Sequence, residues 1–139
     1  MKKNVTVLCL VLTLGLCGCS ESSVQAGSGV PDTPINRKIS AEEAYQMMKK
    51  SKNYILLDVR TDEEFRGKRI DGAILVPDYE LEKRAVTELP DKNAAIFVYC
   101  RSGKRSANAA KILAEKGYTQ IFDFGGIADW PYETVSGNQ

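Results

Sequence analysis

The feature that most constrains the fold is the alternation of short apolar runs with helical segments. Residues 54–59 (YILLDV) and 94–99 (AAIFVY) are continuous apolar runs, which are typical of strands covered on both faces of a sheet. Because strands that alternate with helices form parallel sheets, the pattern predicts an α/β fold, an open parallel sheet flanked by helices on both faces. Further strands are predicted at residues 73–76 and 120–124, and helices at residues 79–89 and 106–116.

Capping residues mark the start of two more helices. Ser40 stands three residues before Glu43, and Thr61 stands three residues before Glu64. A serine or threonine N-cap and a glutamate at the third helical position satisfy each other's backbone N–H groups. The first of these helices is expected to run to about Lys50, and the second to form one or two turns.

The first twenty residues predict export from the cytoplasm. Two lysines precede an apolar run at residues 5–16, which is too short to span a bilayer and is typical of a signal peptide. The sequence LCGC at residues 16–19 resembles a bacterial lipobox, which implies cleavage before Cys19 and lipid modification of that cysteine. We therefore predict a signal peptide at residues 1–18 and a membrane-anchored lipoprotein that faces the periplasm or the cell exterior.

The same segment allows two alternatives to lipidation. Ordinary secretory cleavage after Ala26 would release a soluble protein. A metal site formed by Cys17 and Cys19 is disfavoured, because processing removes or modifies both residues. Residues 21–34 are rich in serine, glycine and proline. On the favoured lipidation route we expect residues 19–36 to be the lipidated N-terminus and a flexible tether, and residues 37–139 to form one domain.

The composition limits the chemistry that this chain can perform. Nineteen basic and eighteen acidic residues give a net charge of +1, so no global field favours nucleic acid, and an anion site has to be local. The chain contains no histidine, which excludes Ser-His and Cys-His pairs and removes the commonest metal ligand. A nucleophile would have to be activated without imidazole. Cysteine suits this, because positive surroundings lower its pKa.

The segment YCRSGKRS at residues 99–106 is the candidate site. Cys100 is the one free thiol expected in the exported domain, and it ends a predicted strand just before a glycine-containing turn and a helix. Backbone N–H groups in such a turn form an anion-binding site, and nearby cations favour the thiolate. The alternative is a structural cysteine beside a solvated basic turn. The residues expected to bind the substrate or its sulfur are Arg101, Ser102, Gly103, Lys104, Arg105 and Ser106. Ser106 has a second interpretation, as the cap of the following helix.

Four motifs in order resemble the single-domain rhodanese family of thiosulfate sulfurtransferases, over about residues 37–137. They are LDVR at residues 57–60 followed by Glu64-Phe65, RIDGA at residues 69–73 followed by Val76-Pro77, the loop at residues 100–106, and Gly125-Gly126 with Trp130. One departure is clear. The family usually has Gly-His before the isoleucine of the second motif, and this chain has Lys68-Arg69. The change leaves the nucleophile in place and is expected to affect the rim of the site or local packing.

The resemblance implies a mechanism and a set of partners. Cys100 would take the outer sulfur of thiosulfate as a persulfide and pass it to cyanide or a thiol, with no metal or organic cofactor. Asp58 and Arg60 would form a supporting ion pair, with Glu64 as a candidate third member. Trp130 would belong to the core or shield the persulfide.

Loop length separates this family from its relatives. Related cysteine phosphatases have five residues between the cysteine and the arginine, whereas Cys100 and Arg105 are separated by four. The shorter loop disfavours phosphatase or arsenate reductase activity. A persulfide carrier or anion-binding module without turnover remains an alternative, since its loop would look the same.

Overall fold

The computed structural model describes residues 33–138, which form a five-stranded parallel sheet in the order β1-β5-β4-β2-β3. This confirms the predicted α/β fold. The predicted signal peptide, Cys19 and the alternative cleavage site at Ala26 lie outside the described residues. The strands are β1 Ile35–Lys38, β2 Tyr54–Asp58, β3 Ile74–Leu75, β4 Ala95–Cys100 and β5 Gln120–Gly126. The helices are α1 Ala41–Lys50, α2 Asp62–Gly67, α3 Asp78–Glu88 and α4 Lys104–Glu115, and a 3-10 turn covers Ile127–Asp129.

Alternate residues of the central strands enter two separate cores. In β4, Ile96 and Val98 join the core that includes Leu113 of α4, whereas Phe97 and Tyr99 join the core that includes Met48 of α1. Each fully buried aliphatic side chain contributes roughly 1.5–3 kcal/mol relative to an exposed one. The continuous apolar runs in the sequence therefore reflect a sheet that is covered on both faces. None of the helices within residues 33–138 has the length and apolar character needed to cross a membrane.

The helix starts follow the capping residues, with one difference. In α2 the capping box is complete, because the Thr61 side chain accepts from Glu64 N and the Glu64 side chain accepts from Thr61 N. In α1, Ser40 Oγ accepts from Glu43 N at 3.1 Å, but the Glu43 carboxylate accepts from Arg37 at 2.8 Å. Glu64 therefore completes the cap of its own helix, whereas Glu43 forms an ion pair with Arg37 instead.

Several element boundaries differ from the prediction by one or two residues, and two of these differences are informative. The sequence pattern places the start of the domain at residue 37, but β1 begins at Ile35 and pairs in parallel with β5, so residues 35 and 36 belong to the sheet rather than to the tether. This strand has four residues, of which three are exposed, so it carries no apolar run. Helix α4 begins at Lys104, two residues earlier than predicted. Cys100 therefore lies only four residues before a helical N-terminus.

Candidate active site

Cys100 ends β4 at the carboxyl edge of the sheet. The pairing of β4 with β5 shifts register between Val98 and Cys100, and Cys100 then lies opposite Gly126. The thiol is free and buried, with 1% of the residue exposed. The carboxyl end of a parallel strand beside a helix N-terminus is where ligands bind in open α/β folds.

Gly103 directs a backbone donor at the thiol. Its φ of 102° lies in the left-handed region, which side chains other than glycine rarely adopt, and its N–H donates to Cys100 Sγ at 3.0 Å. Gly103 is also the N-cap of α4, so Ser106 lies within the first turn. The interpretation of Ser106 as the helix cap is therefore wrong, because the left-handed glycine already provides the turn.

Ser106 faces the sulfur instead. The residue is fully buried, and its Oγ lies 3.7 Å from Cys100 Sγ. The hydroxyl is also within hydrogen-bond distance of Gly103 O at 3.1 Å and Gly125 O at 3.3 Å. One hydroxyl proton thus has three neighbouring acceptors. When Cys100 is a thiolate, the sulfur becomes the most negative of them, so Ser106 is placed to donate to it.

The pKa of Cys100 is lowered below its ordinary value by the balance of two opposing effects. Burial raises the pKa, since it penalises the charged form. Hydrogen bonds from the backbone of Ser106 and Gly103, the Ser106 hydroxyl and the Ser102 backbone outweigh it. The sequence pattern draws attention to the three cations. In the structure, fixed hydrogen-bond donors are the main cause of the lowered pKa.

Gly126 allows the loop to lie directly against β5. A Cβ atom at this position would lie 2.2 Å from Arg101 O and 2.7 Å from Ser102 Cα. Because both atoms are backbone, a side chain could be admitted only by moving the loop. The glycine at position 126 therefore allows the backbone of residues 101 and 102 to lie in contact with β5.

Arg105 is held by Glu64 across the site. Its two terminal nitrogens donate to the two carboxylate oxygens of Glu64, each at 2.9 Å. The hydrogen bonds from Arg105 are the main reason that the pKa of Glu64 falls to about 2, with the Thr61 backbone and hydroxyl assisting against burial. The sequence makes Glu64 a candidate for the Asp58–Arg60 network. The structure assigns it to Arg105 instead, so this guanidinium ties α2 to the loop.

The predicted ion pair between Asp58 and Arg60 is present and buried. Arg60 Nε lies 3.0 Å from Asp58 Oδ1, and Arg60 Nη2 lies 2.6 Å from Oδ2. The same Nη2 donates to Lys68 O at 2.6 Å, so the pair fixes the segment that follows α2. The guanidinium also lies over the Tyr99 ring at 5.5 Å. These contacts stabilise the chain segments next to Cys100, and none of them involves its sulfur atom.

The remaining predicted residues divide between rim and core. Arg101, Ser102 and Lys104 are exposed on the loop. Trp130 packs against the rings of Tyr45, Phe124 and Tyr132, which makes it part of the aromatic core. Within residues 33–138 no cluster of acidic, cysteine or histidine side chains is arranged to hold a metal ion.

A buried cysteine of lowered pKa, contacted by backbone donors where a parallel strand meets a helix, is an arrangement typical of α/β proteins that use a cysteine nucleophile. Within that class the chain belongs to the rhodanese-like domain family, whose family model matches residues 40–132. It is 40% identical over 81 residues to the thiosulfate sulfurtransferase PspE of Escherichia coli, covering 58% of this chain and 78% of that protein. It is 32% identical over 94 residues to a sulfurtransferase of Allochromatium vinosum, covering 67% of this chain and 86% of that one.

Solved structures agree with this assignment. An Escherichia coli rhodanese determined with anions is 38% identical, with a TM-score of 0.57, and the match covers 60% of this chain and 99% of that one. A rhodanese-related protein from Thermoplasma volcanium is 30% identical, with a TM-score of 0.62, and the match covers 71% of this chain and 97% of that one. Sulfur transfer is therefore the class of activity that the family membership supports.

Proposed function

We propose that this chain is a thiosulfate sulfurtransferase that works through a persulfide on Cys100. The observation that carries the proposal is the Gly103 N–H at 3.0 Å from Cys100 Sγ, in a loop whose hydrogen bonds lower the pKa of the thiol. The same donors stabilise the negative charge of a bound persulfide. Two comparisons support the choice of an anionic sulfur donor: PspE bears the name thiosulfate sulfurtransferase, and the similar Escherichia coli rhodanese was solved with anions.

The reaction proceeds in two displacements. The Cys100 thiolate attacks the outer sulfur of thiosulfate, a new S–S bond forms, and the bond to the inner sulfur breaks so that sulfite leaves with its electron pair. A thiolate or cyanide then attacks the outer sulfur of the persulfide and regenerates the Cys100 thiolate. No proton transfer to a side-chain base is required. This suits a chain without histidine.

The cations near the loop have separate roles in this proposal. Arg101 and Lys104 are exposed beside Cys100 and attract the dianionic donor. Arg105 is bound to Glu64 and holds the loop in shape rather than binding the donor directly. Backbone N–H groups and the Ser106 hydroxyl contact the transferred sulfur. Asp58 and Arg60 remain supporting residues.

Mass spectrometry and kinetics test the proposal together. After treatment with thiosulfate, the wild type should gain the mass of one sulfur atom on the peptide that contains Cys100, and Cys100→Ser should gain nothing. Addition of cyanide should remove the extra mass and produce thiocyanate with ping-pong kinetics. A Cys100→Ser protein with full sulfur transfer would refute the assignment. A persulfide that forms but passes to no acceptor would favour a carrier, and hydrolysis of a phenyl phosphate would favour the phosphatase alternative.

The location of the protein is a separate proposal that rests on residues outside the described part of the chain. We propose that Cys19 is acylated and anchors the exported domain to a membrane, because the LCGC sequence follows an apolar run of signal-peptide length. Fractionation tests this. The wild type should sediment with membranes and Cys19→Ser should not, whereas membrane association of both, or of neither, would contradict lipidation.

A further inference from the structure

A depression of about 350 Å³ lies beside the Cys100 loop, between the end of α2 and the 3-10 turn. Ile127 and Ala128 provide apolar surface, and Ala128 N donates to Arg101 O at 3.3 Å, which joins this wall to the loop. The charged residues of the lining are Arg60, Glu64, Lys68 and Arg101. Arg101, the residue that follows Cys100, therefore forms part of the wall of the depression.

The charges of the lining do not cancel. Arg60 is neutralised by Asp58, and Glu64 is neutralised by Arg105. Lys68 and Arg101 are exposed, and within residues 33–138 neither has a carboxylate in ion-pair contact. Two uncompensated positive charges thus face one depression, over a partly apolar surface that strengthens their attraction for an anion.

The backbone positions of both cations are fixed. Lys68 N donates to Glu64 O at 3.1 Å, and Lys68 O accepts from Arg60 Nη2 at 2.6 Å. Arg101 is held through its carbonyl by Ala128 N. Each side chain therefore starts from a defined point on the rim, which reduces the entropy lost when both hold the same ligand.

The position of the sulfur decides which anion fits. Cys100 does not line the depression, because its Sγ is turned inward toward Gly103 and Ser106. An anion in the depression therefore holds its charge apart from the reacting sulfur. In thiosulfate the charged SO3 group is bonded directly to the transferred sulfur, and the ion is far smaller than this depression. A thiol whose carboxylates are separated from its sulfur by carbon atoms meets both conditions.

We propose that Lys68 and Arg101 form a subsite for the carboxylates of a small anionic thiol, the acceptor in the second displacement. This inference rests on the proposed function, and it assigns a selectivity that the Cys100 loop alone does not provide. Lys68 is the specificity-determining residue, since it contributes charge at the rim without touching the sulfur. Selection occurs after the persulfide has formed.

The test compares Lys68→Gln with the wild type on three acceptors: 2-mercaptoethanol, mercaptoacetate and mercaptosuccinate, which carry zero, one and two carboxylates. Comparing variant with wild type for each acceptor cancels differences in thiol reactivity. Loss of one exposed charge should raise the KM for mercaptosuccinate about 2- to 5-fold and leave that for 2-mercaptoethanol unchanged. Lys52→Gln is the matched control, because Lys52 is exposed and lies just before β2, near the amino ends of the strands, whereas Cys100 lies at their carboxyl ends.

Two readouts separate this inference from the proposed function. Persulfide formation from thiosulfate should be the same in Lys68→Gln and the wild type; its absence in the wild type would contradict the function itself. Succinate has no thiol, so its binding is independent of turnover, and in an NMR titration it should shift the amides of residues 68 and 101. Absence of these shifts, equal succinate affinity in Lys68→Gln, or an equal KM change for all three acceptors would overturn the subsite.

Discussion

The contact between Glu64 and Arg105 allows a sharp test of how the loop is held. Glu64→Gln removes the negative charge but keeps a side-chain oxygen for the capping box, since glutamine serves at the third helical position. The substitution therefore isolates the ion pair from the helix cap. Glu63→Gln is the control, because Glu63 is exposed and lies in the same helical turn.

The size of the effect follows from the pKa of Glu64, which the Arg105 hydrogen bonds lower from 4.5 to about 2. A shift of this size corresponds to about 3 kcal/mol of preference for the charged form. Because 27% of the Glu64 side chain is exposed, solvent screens part of this energy. We expect Glu64→Gln to lower the free energy of unfolding at pH 7 by about 1–2 kcal/mol, and Glu63→Gln to change it by less than about 0.5 kcal/mol.

The pH dependence distinguishes the ion pair from other causes. A carboxyl group whose pKa is depressed by folding stabilises the native state fully above its unfolded pKa, and the stabilisation is lost as the pH falls through the folded value. The difference between wild type and Glu64→Gln should therefore be constant above about pH 5.5, shrink below pH 4.5 and nearly vanish at about pH 2. Urea unfolding at a series of pH values measures it. A difference that stayed the same from about pH 7 to about pH 2.5 would refute the electrostatic explanation.

Two further predictions concern the geometry around the sulfur. Gly126→Ala should abolish most persulfide formation and destabilise the fold by about 1–3 kcal/mol, because its Cβ would lie 2.2 Å from Arg101 O. Gly67→Ala is the control, since a Cβ at that position has no neighbour within 4 Å. A fully active Gly126→Ala protein would contradict the close contact. Ser106→Ala should raise the pKa of Cys100, since it removes a hydroxyl that favours the thiolate. The pH at which the alkylation rate of Cys100 reaches half its maximum should be higher in this variant than in the wild type or in the control Ser102→Ala. An unchanged midpoint would show that the hydroxyl does not act on the sulfur.

The parts of the site that were predictable are those encoded locally. The loop at residues 100–106 combines a strand end, a glycine turn and a helix start within seven residues, so its shape follows from adjacent residues. The Asp58–Arg60 pair is equally local, because its partners are two positions apart in the chain. The partner of Arg105 was not predictable in this way. Glu64 lies 41 positions away and already had a local role as a capping residue.

Lys68 and Arg69, which stand where the family usually has Gly-His, lie in different environments: Lys68 is exposed and Arg69 is buried. The sequence predicts an effect on either the rim or the packing, and it does not divide the roles between the two residues. Arg69 is buried, lies 4.8 Å over the Phe65 ring and donates to Gly137 O at 2.8 Å. Its backbone also pairs with Val135, so it fastens the C-terminal segment. Lys68 points to the rim because neighbouring residues alternate between faces of an extended segment.

The lowered pKa of Cys100, in a chain without histidine, depends on the donors that reach the sulfur and also on contacts that hold those donors in place. Burial raises the pKa of Cys100, and only donors held at the right distance overcome it. The distance from Gly103 N to the sulfur, 3.0 Å, leaves little tolerance, because hydrogen bonds weaken steeply as geometry degrades. The brace from Arg105 to Glu64 and the close approach of Arg101 to Gly126 both fix that distance. In the proposed reaction, activation of Cys100 therefore depends on the rigidity of the loop, and the exposed charge at the rim is available to select the acceptor.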